Sequence, residues 1–171
     1  MIKVKPYMIV DGIPTFPDSV IKSFWDQMEV DGTIETVFCD GKINTREQWL
    51  ANVKSGGTVF CIAIRDGDPV GLGWINRMEK KKAWGHFCLF SNGWGLGSEQ
   101  IGKAMLNFFF GLDNGKAFDI FMGMLPTSNQ AAVAYLVKCG ANIIGKVRNG
   151  LWNEHKGESE SATLIYFERP A

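Results

Sequence analysis

Hydrophobic positions along the chain recur with two periods, and the changes of period divide the sequence into helices and strands. Residues 5–10 (KPYMIV) predict a first strand, and residues 16–28 (FPDSVIKSFWDQM) carry apolar side chains at helical spacing. In residues 45–53 (TREQWLANV), Thr45 is followed three positions later by Gln48, a capping box that predicts the start of a second helix. The first third of the chain is therefore expected to form a strand and two helices.

Strand-like segments rich in Val, Ile and aromatic residues occupy the middle of the chain. They are residues 58–65 (TVFCIAIR), 69–78 (PVGLGWINRM) and 83–90 (AWGHFCLF), and DGD between the first two predicts a hairpin. A glycine-rich segment, residues 91–102 (SNGWGLGSEQIG), then leads into an amphipathic helix at residues 103–112. We expect an antiparallel meander followed by a loop and a helix.

The last third of the chain adds a strand, a helix and two strands. They are predicted at residues 117–125, 128–140, 142–148 and 162–168. The polar residues 153–161 (NEHKGESES) are predicted to form a solvated loop. The element order is strand, two helices, three strands, helix, strand, helix and two strands. It predicts an α/β (α+β) fold in which helices flank a mixed, mostly antiparallel central sheet, in a single domain over residues 1–171.

Composition excludes several classes of partner. Eighteen basic and eighteen acidic residues give a formal net charge of zero, so nucleic acid is not expected as a partner. No apolar run approaches the roughly 18 residues that span a bilayer, so no membrane partner is expected. Cys39, Cys61, Cys88 and Cys139 lack the paired spacing of a zinc site. We therefore expect a cytoplasmic protein without a metal.

The glycine-rich segment carries the clearest chemical signal. A strand that runs into such a loop at the start of a helix leaves backbone N–H groups unpaired, and the helix dipole adds partial positive charge there. A phosphate or pyrophosphate is the natural ligand of this arrangement. Residues 97–104 also approach the phosphate-binding loop of nucleoside triphosphatases, but Ala104 stands where that loop needs a hydroxyl for magnesium. The triphosphatase interpretation is therefore disfavoured.

Two segments resemble the GCN5-related N-acetyltransferase (GNAT) family, as does the element order. Residues 97–106 (GSEQIGKAML) stand where that family has its acyl-CoA pyrophosphate loop, and residues 129–141 (NQAAVAYLVKCGA) resemble its helix that begins with Asn and ends at Lys-x-Gly. Of the glycines of the family loop, only Gly102 is kept, and Gln100 stands at the other glycine position.

The resemblance implies acetyl-CoA, or another acyl-CoA, as co-substrate. The residues it implies for binding are Cys88, Leu89, Phe90, Gly97, Ser98, Gln100, Ile101, Gly102, Lys103 and Asn129. The first three would offer their backbone to the pantetheine arm and thioester, and the others would hold the phosphates. A bulky residue at Gly102 is expected to abolish CoA binding and to leave folding intact.

Catalytic candidates are few. His86 is the first candidate for the general base, because imidazole titrates close to neutrality, and Glu79 and Asp40 are further candidates. Tyr135 is the candidate general acid, one residue before Leu136, which occupies the position where many members of the family have a tyrosine.

Two functions remain open from the sequence. The first is acyl-CoA-dependent transfer of an acetyl group to a primary amine, on a small molecule or a peptide, by direct attack. The second is a catalytically inactive GNAT-like scaffold with a structural or interaction role, such as a phage protein linked to virion assembly. The sequence does not determine the oligomeric state, although residues 162–168 could form an exposed strand edge that pairs with a second copy as a homodimer.

Overall fold

A mixed β-sheet with helices on both faces forms the body of the protein, whose structure, a computed structural model, describes residues 1–170. The strands are β1 (Ile2–Pro6), β2 (Ile9–Val10), β3 (Ile13–Pro14), β4 (Val59–Arg65), β5 (Asp68–Glu79), β6 (Lys82–Leu89), β7 (Ile120–Pro126), β8 (Asn142–Asn153) and β9 (Glu158–Glu168). The helices are α1 (Asp18–Val30), α2 (Ile34–Val37), α3 (Arg46–Lys54), α4 (Ser98–Phe110), α5 (Leu112–Gly115) and α6 (Gln130–Lys138).

The main sheet has the strand order β1-β4-β5-β6-β7-β9-β8. Strands β6 and β7 run parallel, and every other neighbouring pair in this sheet is antiparallel. Strands β2 and β3 form a separate small hairpin. This mixed, mostly antiparallel sheet with flanking helices confirms the predicted fold class.

Each face of the sheet carries its own hydrophobic core. On one face, α1 and α3 bury side chains against β4, β5 and β6, and Trp49 packs edge-on against Trp74 at 5.4 Å between ring centroids. On the other face, α4 and α6 cover the sheet, with Met105 and Phe109 fully buried. Within residues 1–170, no helix combines the length and the apolar character needed to cross a bilayer.

Helix boundaries follow the caps that the sequence predicts. The Thr45 side chain accepts a hydrogen bond from the Gln48 N–H (3.2 Å) at the start of α3. Asn129 does the same for the Ala132 N–H (3.1 Å) at the start of α6, and Gly140, at φ +105°, follows its end. These local signals fix where the helices begin and end.

The structure corrects the predictions for the first strand and the C-terminal hairpin. The predicted strand at residues 5–10 is split between β1 and β2. Strand β9 begins at Glu158, so much of the predicted polar loop is strand. Because β9 lies between β7 and β8, residues 162–168 form no edge, and the exposed edge on this side is β8. The nearly continuous apolar run in residues 162–168 reflects burial on both faces of the strand, with Ala162 on one face and Thr163, Ile165 and Phe167 on the other all buried.

Candidate active site

A cleft opens in the sheet where its two parallel strands separate. Strands β6 and β7 pair only through residues 82–84 and 120–122, and beyond Trp84 and Met122 they diverge. A cavity of about 530 Å³ occupies the opening, a volume typical of small-molecule sites.

The cavity passes through the sheet from one face to the other. On the face covered by α1 and α3 it is lined by Thr33, Thr36 and Cys39. On the face covered by α4 and α6 it is lined by Ser98 and Asn129, at the starts of those helices. Two ligands that enter from opposite faces can therefore meet inside the sheet.

The edge of β6 that faces the cleft has unpaired backbone groups. The Phe90 N–H donates to the Val70 oxygen of the β5 side (3.1 Å). Since backbone groups alternate along a strand, Cys88 also directs its N–H and C=O at β5, and Leu89 and Phe87 direct theirs into the cleft. Of the three predicted backbone partners of CoA, only Leu89 therefore directs its backbone groups into the cleft, although Cys88 also lines the cavity. Phe87, which the sequence analysis missed, faces it as well.

The loop before α4 has the backbone of an anion site. Gly95 (φ +92°) and Gly97 (φ +80°) adopt left-handed conformations that glycine reaches without strain. In the part of the chain that the structure describes, the N–H groups of Gly95, Leu96, Gly97 and Glu99 donate no hydrogen bond to a protein group. These four donors precede or begin α4, where the helix dipole favours an anion.

The predicted phosphate contacts lie mostly outside this group of free amides. The N–H groups of Ser98 and Gln100 donate to backbone oxygens of the loop itself, at 3.2 and 3.1 Å. Ile101 and Gly102 are buried, and Lys103 is exposed in the first turns of α4. The available donors therefore begin earlier in the chain than predicted.

Gly102 allows α6 to pack against α4. A Cβ atom at Gly102 would lie 2.5 Å from the Tyr135 hydroxyl oxygen and 2.6 Å from the Cys139 sulfur. The absent side chain thus makes room for two side chains of α6. The expectation that a bulky residue at Gly102 leaves folding intact is corrected by this packing, because a larger side chain must displace the Tyr135 and Cys139 side chains.

Tyr135 links α6 to the loop that begins α4. Its hydroxyl donates a hydrogen bond to the Ser98 backbone oxygen (3.3 Å), and the side chain lines the cavity. Burial is the main cause that raises the pKa of Tyr135 above its ordinary value, so the phenol is neutral. The Tyr135 hydroxyl is directed at the loop, and Leu136 lines the cavity beside it.

His86 lies in the cavity wall with one ring nitrogen already bonded. The ring stacks on Trp74 at 5.1 Å between centroids, and Nε2 lies 3.2 Å from the Asn76 side-chain oxygen. Because an amide oxygen only accepts, Nε2 carries the hydrogen and Nδ1 keeps its lone pair. Burial, together with the positive charge of Arg77, lowers the His86 pKa to about 4, against an opposing effect of Asp40. His86 is therefore neutral near pH 7.

The two carboxylates that were candidates for the general base, those of Glu79 and Asp40, do not lie beside His86 in the cavity wall. Glu79 ends β5 with its carboxylate exposed and paired with Lys82 at 3.0 Å. Asp40 pairs with Lys42 at 2.9 Å, and its negative charge acts to raise the His86 pKa. Within residues 1–170, no group of three or more His, Cys, Asp or Glu side chains is placed to hold a metal ion.

The turn between β8 and β9 packs against Cys39, which lines the cavity on the α1 and α3 face. The Glu154 N–H donates to the Cys39 oxygen (2.8 Å), and the Glu154 side chain packs over Gly41. This contact brings Glu154 and Glu160 near Asp40. Asp40 is paired with Lys42 and Glu160 with Lys156, so the cluster contains both signs of charge. It could be seen only in the fold, because Asp40 and Glu154 are over 100 residues apart in the chain.

Comparisons with known proteins agree with this geometry. No protein-family model matches the chain, and no curated protein sequence matches it. Among solved structures, it is similar to a Salmonella typhimurium acetyltransferase that modifies the N-terminal serine of ribosomal protein L7/L12, with TM-score 0.77, 11% identity and coverage of 99% and 95% of the two chains. It is also similar to a Vibrio cholerae spermidine N-acetyltransferase in complex with CoA and spermine, with TM-score 0.74, 9% identity and coverage of 98% and 95%.

A third similar structure is the microcin C7 self-immunity acetyltransferase MccE in complex with acetyl-CoA and AMP. It has TM-score 0.69 and 12% identity, and 89% and 87% of the two chains are covered. At identities this low, the likeness concerns the path of the backbone. The chain has the fold of the GCN5-related N-acetyltransferases, as its element order and its two motif segments predicted.

Proposed function

We propose that the protein is an acyl-CoA-dependent N-acyltransferase that acts on a primary amine. The observation that carries the proposal is the cavity through the sheet, which has the free N–H group of Gly95 at one mouth and a neutral histidine in its wall. The similar solved structures, which include complexes with CoA and acetyl-CoA, support the choice of donor.

In this proposal, CoA enters from the face covered by α4 and α6. Its diphosphate binds the free N–H groups of Gly95, Leu96, Gly97 and Glu99, which an anion can use without breaking existing bonds. The pantetheine amides pair with the free edge of β6, as an added strand pairs with a sheet edge. The thioester then lies in the cleft between β6 and β7.

The transfer is a direct attack of the amine on the thioester carbon. The amine nitrogen forms the new C–N bond, the C–S bond breaks, and CoA leaves as a thiolate that takes up a proton. The amine attacks in its neutral form, after a cationic acceptor has released one proton to solvent. The second proton, lost from the nitrogen as the C–N bond forms, passes to Nδ1 of His86, directly or through one water, and the thiolate takes up its proton from His86 or from solvent. Free N–H groups on the edge of β6 are suitable donors for the oxyanion that forms in the tetrahedral intermediate.

The acceptor enters from the opposite face, past the turn between β8 and β9. Asp40, Glu154 and Glu160 lie near Cys39 on that side. Asp40 and Glu160 are paired with Lys42 and Lys156, whereas Glu154 has no ion pair within residues 1–170. Negative charge around an opening raises the local concentration of protonated amines. The acceptor of this proposal is therefore a small-molecule or peptide amine that is cationic before it loses its proton.

The inactive scaffold remains the second candidate, and one observation favours it. The Tyr135 hydroxyl is held by the Ser98 oxygen, and the neighbouring Leu136 has no proton to give to the departing thiolate. A scaffold would retain the cleft without turnover. Thiol release in the presence of an amine separates the two candidates.

Isothermal titration with CoA, acetyl-CoA and ATP with magnesium tests the proposal first. We expect micromolar binding of CoA and acetyl-CoA and none of ATP, followed by thiol release when amines are added. Leu96→Pro tests the loop. It removes the backbone N–H of a residue whose side chain is fully exposed. We expect it to weaken CoA binding roughly tenfold, the contribution of one hydrogen bond to a charged group.

Leu96→Ala is the matched control, since it removes the same exposed side chain and keeps the N–H. Its CoA affinity should equal that of the wild type. Absence of CoA binding by the wild-type protein would overturn the proposal, and CoA binding without turnover on any amine would favour the scaffold.

A further inference from the structure

A second, open pocket lies beside the loop that precedes α4, on the side of β1 and β4. Its volume is about 600 Å³, and its lining includes Arg65 at the end of β4 and Leu96 and Gly97 of the loop. From the same segment, Gly95 and Ser98 line the cavity through the sheet. The loop therefore separates the cavity from this second pocket.

The free backbone N–H groups of the loop are divided between the two openings. Within residues 1–170, the N–H groups of Gly95, Leu96 and Gly97 donate no hydrogen bond to a protein group. Gly95 lines the cavity, whereas Leu96 and Gly97 line the second pocket. A diphosphate that accepts hydrogen bonds from all three must cross the loop from one opening to the other.

The two ends of CoA then lie in different openings. The pantetheine arm is attached to one end of the diphosphate, and adenosine with its 3′-phosphate is attached to the other. When the pantetheine arm occupies the cleft between β6 and β7, the adenosine lies on the far side of the loop. That side is the second pocket, so the 3′-phosphate is brought to the residues that line it.

Arg65 gives this pocket a positive charge that no carboxylate neutralises. Its Nη2 donates to the Asn92 backbone oxygen, which holds the guanidinium at the start of the loop. Within residues 1–170 the side chain forms no ion pair. Asp66 also lines the pocket, but it pairs with the amino group of Met1 at 3.3 Å. A guanidinium has several N–H donors, so donors remain for a phosphate after the bond to Asn92.

We propose that Arg65 binds the 3′-phosphate of CoA in the second pocket, and that the protein thereby distinguishes CoA from 3′-dephospho-CoA. This inference rests on the proposed function and deepens it. The planar guanidinium matches the geometry of a phosphate and pairs with it through two parallel hydrogen bonds. The positive end of the α4 dipole at the same loop adds to the attraction.

Titration calorimetry with CoA and 3′-dephospho-CoA tests the proposal, because the two ligands differ only in this phosphate. Hydrogen bonds to a charged group are lost with it, so 3′-dephospho-CoA should bind at least about tenfold more weakly. If both ligands bind equally tightly, the inference is overturned and the proposed function stands. If neither ligand binds, the proposed function itself has failed.

Arg65→Gln assigns the effect to the arginine. Glutamine removes the charge but keeps an N–H group that can reach the Asn92 oxygen. We expect CoA to bind about tenfold more weakly and 3′-dephospho-CoA to bind as it does to the wild type. Arg148→Gln is the matched control, since it makes the same change of charge on β8, at the opposite edge of the sheet from β1, and should keep the full difference between the ligands. Equal weakening of both ligands by Arg65→Gln would mean that Arg65 only supports the loop, and the proposal would be wrong.

Gln100→Glu gives a second test that leaves Arg65 in place. Gln100 is exposed in the first turn of α4 and lines the second pocket, and a carboxylate near a helix start is compatible with the fold. The new negative charge should weaken CoA binding more than the binding of 3′-dephospho-CoA. An equal effect on the two ligands would place the 3′-phosphate outside this pocket and overturn the proposal.

Discussion

The indole N–H of Trp94 donates a hydrogen bond to the backbone oxygen of Leu89 at 3.0 Å, on the edge of β6 that faces the cleft. Trp94 is about half exposed and lines the mouth of the cavity. Its indole thus occupies an acceptor that the pantetheine arm of CoA would use. A ligand that pairs with this edge must share or displace the indole.

Trp94→Phe is therefore expected to bind CoA more tightly than the wild type. Phenylalanine keeps an aromatic ring at the mouth of the cavity and removes the N–H that competes for the Leu89 oxygen. One neutral hydrogen bond contributes about 1 kcal/mol, so the gain should be up to about fivefold in Kd. Calorimetric titration of both proteins measures it. A several-fold loss of affinity would mean instead that the indole forms part of the CoA site.

Gly102→Ala is expected to destabilise the fold by about 1–3 kcal/mol, the range for overpacking a core. The new methyl group would lie against the Tyr135 hydroxyl and the Cys139 sulfur, both closer than 3 Å. Urea denaturation of the wild type and the variant measures the change in the free energy of unfolding. In a Tyr135→Phe background the same substitution should cost less, since the nearest of the two atoms is then absent.

Gly57→Ala is the control for that series, because a Cβ at Gly57 meets nothing within 4 Å. Its unfolding free energy should change by less than about 0.5 kcal/mol. If Gly102→Ala lowers the free energy of unfolding equally in the wild-type and Tyr135→Phe backgrounds, contact with the Tyr135 hydroxyl does not cause the destabilisation.

The sequence was sufficient to predict the fold because each element carries its own signal. Thr45 and Asn129 mark helix starts, because their side chains accept hydrogen bonds from nearby backbone N–H groups. Segments with the spacing and composition of strands predict the sheet. The boundary between β8 and β9 was missed because polar residues 153–161 resemble a loop, although β9 already begins within them at Glu158. A two-stranded hairpin that projects into solvent can be polar on both faces.

The candidate site was predictable only in outline. The loop before α4 was found from its glycines, but which of its amides are free depends on turn geometry: Ser98 N–H is used within the loop and Leu96 N–H is not. Phe87 was missed because the direction of a backbone group depends on which neighbour the strand pairs with. The cavity is lined by residues from β6, β7, β9 and α4, which are far apart in the chain, so no local sequence pattern predicts it.

Asn129 combines two roles that substitution can separate. Its side chain caps α6 and also lines the cavity on the face where CoA is proposed to bind. Asn129→Asp keeps a capping oxygen and should leave the unfolding free energy near that of the wild type. It replaces an amide donor by a negative charge near the phosphates, so CoA affinity should fall at least about tenfold.

Asn129→Ala should give the opposite pattern. Loss of the cap lowers stability by about 1 kcal/mol, and no repulsive charge is introduced, so CoA affinity should fall less than in Asn129→Asp. Urea unfolding and calorimetry on both variants make the comparison. Unchanged CoA affinity in both would remove Asn129 from the proposed site.

His86 predicts a dependence of stability on pH. Burial and the charge of Arg77 lower its pKa to about 4 in the folded protein, against an opposing effect of Asp40, whereas the unfolded chain has the ordinary value of 6.5. Between these two values the unfolded state binds the proton and the folded state does not. The free energy of unfolding should therefore fall as pH decreases from 6.5 toward 4, with a contribution from His86 of at most about 1.4 kcal/mol per pH unit, and be unaffected by His86 above that window.

The His86→Gln variant isolates this contribution, because its side chain stays neutral and can still donate to the Asn76 oxygen. Urea unfolding at several pH values should give a difference between wild type and variant that changes only below about pH 6.5. In turnover, His86 acts as a base only when neutral, so its own protonation should not reduce kcat/KM until pH approaches 4. His86→Gln should lower kcat/KM by about a hundredfold or more and leave CoA affinity unchanged, which distinguishes a base from a residue that only supports the cavity wall.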